Sequence, residues 1–154
     1  MNKTQNKIDN EKNSHFIALE NMYIAAPINT FYRPRIRISD AEASIEIDVS
    51  ENLFHSADAV HGSVYFKMLD DDAFFAANSL EKEYFVLTTS FTTYLTRPIS
   101  SGIIRSEGRV VNRNKSQIIV EAIAYNSEDK EIGRGNGIFI CGKLPLKDAR
   151  GYIQ

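Results

Sequence analysis

Hydrophobic and polar residues alternate with a period of two along two short stretches near the start of the chain. These are residues 35–38 and 44–49, separated by the turn-like polar cluster 39–42. Such alternation is typical of strands that bury one face, so the two stretches are predicted to pair as an antiparallel hairpin. Before them, apolar positions in residues 15–26 recur at helical spacing up to Pro27, which predicts a short helix.

Four more strands are predicted in the second half of the chain. They are Tyr84–Thr96, Ile103–Asn112, Gln117–Tyr125 and Glu131–Cys141. The segments that join them are short and rich in turn-forming residues, which favours antiparallel pairing between sequence neighbours over crossover connections.

Between the hairpin and these strands, residues 63–78 have the pattern of a buried helix. On a helical wheel, apolar side chains cover nearly the whole circumference and leave a narrow polar arc of Lys67, Asp71 and Asn78. A helix of this kind must be covered by other elements. We therefore expect an α+β fold in which an antiparallel sheet curls around the helix and a second copy of the chain covers the remainder.

Three consecutive carboxylates, Asp70, Asp71 and Asp72, interrupt this apolar helix. A buried carboxylate without partners is unfavourable and commonly shifts its pKa. Asp71 has a partner four residues earlier in Lys67 and is predicted to be structural. The helical wheel does not choose between Asp70 and Asp72 as a functional group, and contact with solvent or with a neighbouring strand would explain either residue.

The composition is that of a globular protein, with 154 residues, 43% hydrophobic and 25% charged. Residues 1–14 are polar and are predicted to form a disordered tail, which leaves residues 15–154 as one domain. The net charge of −2 gives no overall attraction to nucleic acid or membranes, so neither is expected as a partner. The single Cys141 and the absence of a long apolar segment predict a cytoplasmic location.

The segment Val60–Asp70 resembles the His-Gly-Gly helix opening of hot-dog fold acyl-CoA thioesterases of the phenylacetic-acid (PaaI-like) type. In that family an acidic residue follows the histidine by nine positions, and here the residue at that spacing is Asp70. The resemblance continues through residues 93–98, 108–111 and 131–135.

The resemblance implies a hot-dog fold, in which a curved six-stranded antiparallel sheet wraps one long central helix. It also implies a homodimer, or a homotetramer built as a dimer of dimers, with active sites at the subunit interface. The implied substrate is an acyl-CoA thioester. Coenzyme A is then part of the substrate, and no separate cofactor and no metal ion are expected.

Residue roles follow from this resemblance. The backbone amides of Gly62 and Ser63 lie at the helix N-terminus, where they would stabilise the thioester oxygen as it gains negative charge. Asp70 would act as general base on water or as direct nucleophile. Thr88 aligns with a residue that often orients water in this family, although an ordinary strand threonine is an equal interpretation.

The chain departs from the family pattern at two positions. Ser63 replaces the second glycine, and His55 stands where some relatives place an Asn that polarises the carbonyl. His55 would donate the same hydrogen bond or cap a loop, and His61 would contact the carbonyl or fix its loop. Arg113 and Lys115 are the candidate ligands for the coenzyme A phosphates.

Two alternatives keep the fold and change the activity. One is a non-catalytic protein that binds acyl-CoA, and the other is a hydratase or dehydratase acting on acyl thioesters. A dehydratase is expected to place a histidine and an acid on opposite sides of its substrate, whereas His61 and Asp70 belong to one loop and helix. Thioester hydrolysis is therefore the leading hypothesis.

Overall fold

The computed structural model describes the backbone of residues 3–153 and the side chains of residues 13–153. The helices are α1 (Lys3–Ala25), α2 (Asn29–Tyr32) and α3 (Gly62–Asn78). The strands are β1 (Arg35–Ser39), β2 (Glu42–Asp48), β3 (Phe54–His55), β4 (Ala59–Val60), β5 (Tyr84–Leu95), β6 (Ile103–Arg113), β7 (Ile118–Tyr125) and β8 (Glu131–Pro145).

Six of these strands form one antiparallel sheet in the order β1-β2-β6-β7-β8-β5. Strands β3 and β4 form a separate two-stranded ribbon just before α3. The hairpin predicted from alternation is β1-β2, and the four strands predicted after the helix are β5 to β8. The predicted α+β architecture is therefore confirmed, with one long helix against a six-stranded sheet.

Helix α3 packs against β2, β5, β6, β7 and β8. Its fully buried residues Met68, Leu69, Ala73 and Ala76 face a layer of apolar strand residues, of which Ile45, Ile104, Val120 and Phe139 are completely inaccessible. Burying a leucine-sized side chain in this way stabilises the fold by about 2 kcal/mol. At Gly108 the sheet approaches the helix closely, since a Cβ there would lie 2.8 Å from the backbone oxygen of Asp72.

Helix α1 begins at Lys3 in the structure, whereas the sequence predicted a helix from His15. Met1 and Asn2 lie outside the described residues, and the proposed division into a tail and one domain stays a prediction. Two apolar residues of α1, Leu19 and Met22, are buried in the core. None of the helices within residues 3–153 combines the length and apolar character that a membrane-spanning segment requires.

The buried imidazole of His15 ties α1 to two distant parts of the chain. Its Nε2 donates to the Asn78 carbonyl oxygen at 3.0 Å, because a carbonyl can only accept, and its Nδ1 accepts from the Tyr152 hydroxyl at 2.7 Å. Burial lowers the pKa of His15, so the ring is neutral in the folded protein. These hydrogen bonds fix α1 against the end of α3 and against residues 146–152, which form the C-terminal turn.

The sequence predicted a polar arc of Lys67, Asp71 and Asn78 on α3. Lys67 and Asp71 form the expected ion pair, whereas the prediction is wrong for Asn78. Asn78 is completely buried, where its side chain accepts from the Val86 N–H at 3.1 Å and donates to the Tyr84 carbonyl oxygen at 3.2 Å. A helical wheel gives the angle of a residue but not the path of the following loop, which here folds back over Asn78.

Candidate active site

The N-terminus of α3 is capped by the side chain of His61. Its Nδ1 accepts from the Ser63 backbone N–H at 3.1 Å and lies 2.8 Å from the Ser63 hydroxyl oxygen. A backbone N–H can only donate, so Nδ1 carries no proton and the neutral ring carries its proton on Nε2. The hydroxyl of Ser63, where the family has glycine, thus helps to fix the tautomer of His61.

The two predicted oxyanion donors differ in their surroundings. The Ser63 amide already donates to His61, whereas the Gly62 amide donates to no acceptor within residues 3–153. The first N–H groups of a helix have no intrahelical partner, so the Gly62 amide is open to an anion. The oxyanion role stays a prediction for both amides, and for Ser63 it requires that His61 release the N–H.

His55 lies at the end of β3, beside this helix terminus. Its ring centroid is 6.4 Å from that of His61. Its Nδ1 accepts from the Ala57 N–H at 3.1 Å and so caps the turn between β3 and β4. The structure therefore brings His55, His61 and Gly62 into one region, and the carbonyl-polarising role of His55 stays a prediction.

Asp70 lies two turns further along α3 and is half-buried. The Thr88 hydroxyl donates to its Oδ1 at 3.1 Å, so the two residues paired by the family resemblance are in contact. Burial raises the pKa of the Asp70 carboxyl, and the neighbouring charge of Asp71 acts in the same direction, while the Thr88 hydrogen bond and Lys67 oppose them. A partly desolvated carboxylate of this kind is a better proton acceptor than one in water.

Asp71 has the structural role predicted for it. Its Oδ2 accepts a 2.8 Å hydrogen bond from the Tyr23 hydroxyl of α1 and pairs with Lys67. Burial beside this carboxylate raises the pKa of Tyr23, which therefore remains a protonated donor. Asp71 thus joins α1 to α3.

Asp72 points into the core between α3 and β6 and is completely buried. Neither of its carboxyl oxygens has a hydrogen-bond partner within the described residues, because the nearby Ser106 hydroxyl donates to the Met68 carbonyl oxygen at 3.0 Å. Burial raises the pKa of Asp72 well above its usual range. The core therefore favours the neutral form of Asp72, and Asp70 is the accessible one of the two.

A cavity of about 540 Å³ lies beside Asp70, between α3, the end of α1 and the C-terminal turn. Its apolar wall combines aromatic side chains from α1, α3 and the start of β5 with aliphatic side chains from the end of α1, the turn that follows it and the C-terminal part of the chain. The outer boundary of this cavity could not be predicted from the sequence, because contacts between residues near the two ends of the chain and the central helix leave no periodic pattern.

The described residues thus form two clusters, one at each end of a stretch of α3. Gly62 and Asp70 are eight residues apart on this helix, which corresponds to about 12 Å along its axis. A reacting carbonyl has to lie about 3 Å from both its oxyanion donors and its attacking group. The two clusters therefore lie apart along α3 within one copy of the chain.

The candidate coenzyme A ligands lie apart from both clusters. Arg113 donates to the Leu80 carbonyl oxygen at 2.7 Å, in the loop that follows α3. Lys115 is exposed in the turn between β6 and β7. Their role toward the phosphates stays a prediction.

The family model of the thioesterase superfamily matches residues 58–132 of the chain. No curated protein matches the chain. Among solved structures, the PaaI protein of the E. coli phenylacetic acid degradation operon has a TM-score of 0.79 at 15% identity, over 87% of this chain and 97% of that chain. A thioesterase of Haemophilus influenzae has a TM-score of 0.73 at 13% identity, over 80% of this chain and 88% of that chain.

A further similar structure is a phenylacetic acid degradation-related protein of Ralstonia eutropha. Its TM-score is 0.70 at 17% identity, over 82% of this chain and 98% of that chain. Identities this low establish the fold alone, and the thioesterase superfamily is matched by residues 58–132. The resemblance predicted from the sequence is therefore confirmed: the chain has a hot-dog fold, and its central segment matches the thioesterase superfamily.

Proposed function

We propose that this protein hydrolyses acyl-CoA thioesters, with Asp70 as the attacking or proton-accepting group. The observation that carries the proposal is the half-buried Asp70 carboxylate, which is bonded to Thr88 and opens to a cavity, at the position where the family has its acid. The superfamily match and the thioesterase among the similar structures support the same activity.

Two routes through Asp70 fit the geometry. As a general base, the carboxylate takes a proton from water, whose oxygen attacks the thioester carbon, and Thr88 orients that water. As a nucleophile, the carboxylate itself attacks and forms a mixed anhydride, which water then hydrolyses. In both routes the carbon–sulfur bond breaks, the thiolate leaves and is protonated, and a carboxylic acid is released.

We further propose that the site is completed by a second copy of the chain, because one copy separates Gly62 from Asp70. The two edges of the sheet differ in a way that supports this. At the β1 edge, the side chain of Glu20 accepts the Ile38 backbone N–H at 2.9 Å. The β5 edge is twelve residues long and exposes Leu87 and Leu95. A long apolar edge strand favours pairing with another chain.

The direction of β5 explains how pairing would assemble the site. Leu95 lies beside Gly62, within 3.0 Å of where a Cβ would be, and Thr88 bonds Asp70. If two β5 strands pair antiparallel about a centre between Phe91 and Thr92, Leu95 of one copy lies opposite Thr88 of the other. The Gly62 amide and His61 of one copy would then face the Asp70 carboxylate of its partner.

The activity is tested by measuring thiol release from a panel of acyl-CoA esters. We expect Asp70→Asn to lose about 100-fold or more in kcat, since a positioned base or nucleophile contributes at least that much. Asp72→Asn serves as the matched control and is expected to retain activity. Equal activity of Asp70→Asn and wild type would overturn the assignment. Binding of the esters without cleavage would instead favour the non-catalytic alternative.

Arg113 and Lys115 are proposed to bind the coenzyme A phosphates. Replacing both with alanine is expected to raise KM for an acyl-CoA ester several-fold, because charge-assisted contacts to phosphate are lost. KM for the corresponding acyl-pantetheine, which lacks the nucleotide, should stay the same. A parallel rise in both KM values would show that the pair acts on the fold and not on the nucleotide.

A further inference from the structure

Lys67 lies on α3 three residues before Asp70 and four residues before Asp71. Residues at both spacings are neighbours on a helix, so the Lys67 ammonium can reach either carboxylate. In the structure it pairs with Asp71, and within the described residues no ion pair joins it to Asp70. We propose that Asp71 is a positioning residue, which holds Lys67 away from Asp70 and so leaves the Asp70 carboxylate free to react. This inference rests on the proposed thioester hydrolysis.

The Asp71 carboxylate is fixed from outside α3. Its Oδ2 accepts from the Tyr23 hydroxyl of α1 at 2.8 Å, and the same oxygen pairs with Lys67. The hydroxyl contact therefore holds the anion on the side of α3 that faces α1. The position of the group that attracts Lys67 is thus set by a different helix.

Two aromatic rings hold the Lys67 ammonium on this same side. Its Nζ lies 5.2 Å from the ring centroid of Tyr23 in α1 and 5.0 Å from that of Tyr32 in α2. A cation within about 6 Å of a ring centroid is attracted to the ring face. The Lys67 side chain is only 11% exposed, so water and salt screen these attractions weakly.

The Asp70 carboxylate has a different partner on the other side of the cavity wall. The Thr88 hydroxyl of β5 donates to its Oδ1 at 3.1 Å. Burial and the charge of Asp71 raise the pKa of Asp70, whereas the Thr88 hydrogen bond and Lys67 lower it. A direct ion pair with Lys67 would lower this pKa further and occupy an oxygen that has to attack carbon or accept a proton.

Other charged groups around the cavity do not replace Asp71 in this role. Asp148 and Arg150 line the cavity from the C-terminal turn, and both are exposed and of opposite sign. Exposed charges of this kind interact weakly with a partner. Asp70 and Asp71 are therefore the two carboxylates between which the Lys67 ammonium is distributed.

The test removes the charge of Asp71 and keeps its shape. Asp71→Asn can still accept from the Tyr23 hydroxyl but no longer attracts Lys67, which then pairs with Asp70. We expect kcat for thiol release from hexanoyl-CoA and benzoyl-CoA to fall about tenfold, because the paired carboxylate is a weaker base and nucleophile. The acidic limb of kcat/KM should move about one unit to lower pH, since an adjacent cation lowers the pKa of a carboxyl.

The double variant Lys67→Met/Asp71→Asn separates positioning from an effect on folding. It removes the cation together with the anion, so Asp70 is again unpaired, and kcat and the acidic limb should return towards wild type. Lys67→Met alone should move the acidic limb to higher pH, because the cation that lowers the pKa of Asp70 is gone. Asp72→Asn is the matched control, since it makes the same chemical change one residue further along α3.

A purely structural role for Asp71 predicts lower stability, an unchanged acidic limb and no recovery in the double variant. That pattern would overturn the proposal, as would wild-type kcat in Asp71→Asn. If wild type cleaves neither ester, the proposed hydrolysis fails, and an NMR titration of the Asp70 carboxyl decides on the positioning. A pKa that falls by about one unit in Asp71→Asn and recovers in the double variant would support it. A smaller change would overturn it.

Discussion

Asp70 and Asp72, two carboxylates on α3, differ in their access to solvent and in their hydrogen-bond partners. Burial raises the pKa of both Asp70 and Asp72. Asp70 has a hydroxyl donor in Thr88 and opens to a cavity, so it can exchange a proton with a ligand. Asp72 is sealed between α3 and β6 and has no such access. Access and a polar partner therefore distinguish the two.

Replacing Thr88 with valine should change the pH dependence of the reaction. The Thr88 hydrogen bond favours the ionised form of Asp70, so its loss raises the pKa of that carboxyl further. A base or nucleophile must be ionised, so the acidic limb of the kcat/KM profile should move to higher pH, while Thr88→Ser should keep the wild-type limb. Identical acidic limbs in wild type and Thr88→Val would contradict this role for Thr88.

Asp72→Asn should alter the pH dependence of stability. The pKa of Asp72 is higher in the folded than in the unfolded protein. Its contribution to the free energy of unfolding is therefore fully present below the unfolded pKa of about 4 and is lost as the pH rises through the folded pKa. Above about pH 4, the free energy of unfolding of wild type should therefore fall relative to that of Asp72→Asn, by up to about 1.4 kcal/mol per pH unit. Urea unfolding at several pH values measures this. A constant difference would show that Asp72 is not protonated on folding.

At the scale of single residues, the sequence predicted Asp70 and its neighbour Thr88 through family spacing. It predicted the ion pair of Lys67 and Asp71 from the helical repeat. It did not predict that the Ser63 backbone N–H donates to the His61 side chain, because this hydrogen bond depends on the rotamer of the capping histidine. Such contacts follow from three-dimensional detail and not from residue type.

At the scale of elements, long strands with a regular pattern of apolar residues were predictable from the sequence. Short elements without such a pattern were not. β5 ends one residue from its predicted end, whereas β8 runs four residues further, to Pro145, because that residue pairs with Tyr84 at the start of β5. The short α2 and the β3-β4 ribbon carry no periodic signal of useful length. The extension of α1 to Lys3 was missed because its residues are polar.

Helix α3 carries two groups of candidate site residues that are separated along its length. Its first turn carries the open amide of Gly62 and the His61 cap, and its middle carries Asp70. Phe66 lies between them on the same exposed side and contacts the Phe91 ring of β5 at 5.8 Å. This uncovered side is where the buried-helix pattern predicted that a second copy would pack.

At the scale of the whole molecule, the two-copy site can be tested by mixing inactive variants. Asp70→Asn removes one cluster, and Gly62→Pro removes the open amide with a residue that suits the first position of a helix. Refolded together in equal amounts, they should recover about one quarter of wild-type activity, because half of the dimers are mixed and each mixed dimer has one intact site. Each variant refolded alone is the control.

The opposite result has an equally clear meaning. If the mixture is no more active than the two variants measured separately, while light scattering shows that they form mixed dimers, the reaction uses one copy of the chain.

The candidate site residues and the outer wall of the cavity beside Asp70 come from different parts of the chain. Asp70 and the N-terminus of α3 belong to residues 58–132, whereas the outer wall is built by residues 22–29 and the C-terminal turn. Substitutions near the two ends of the chain can therefore reshape the cavity while Asp70 and the helix terminus stay unchanged. Two such proteins would be alike in their central segment and differ in the shape of the space beside it.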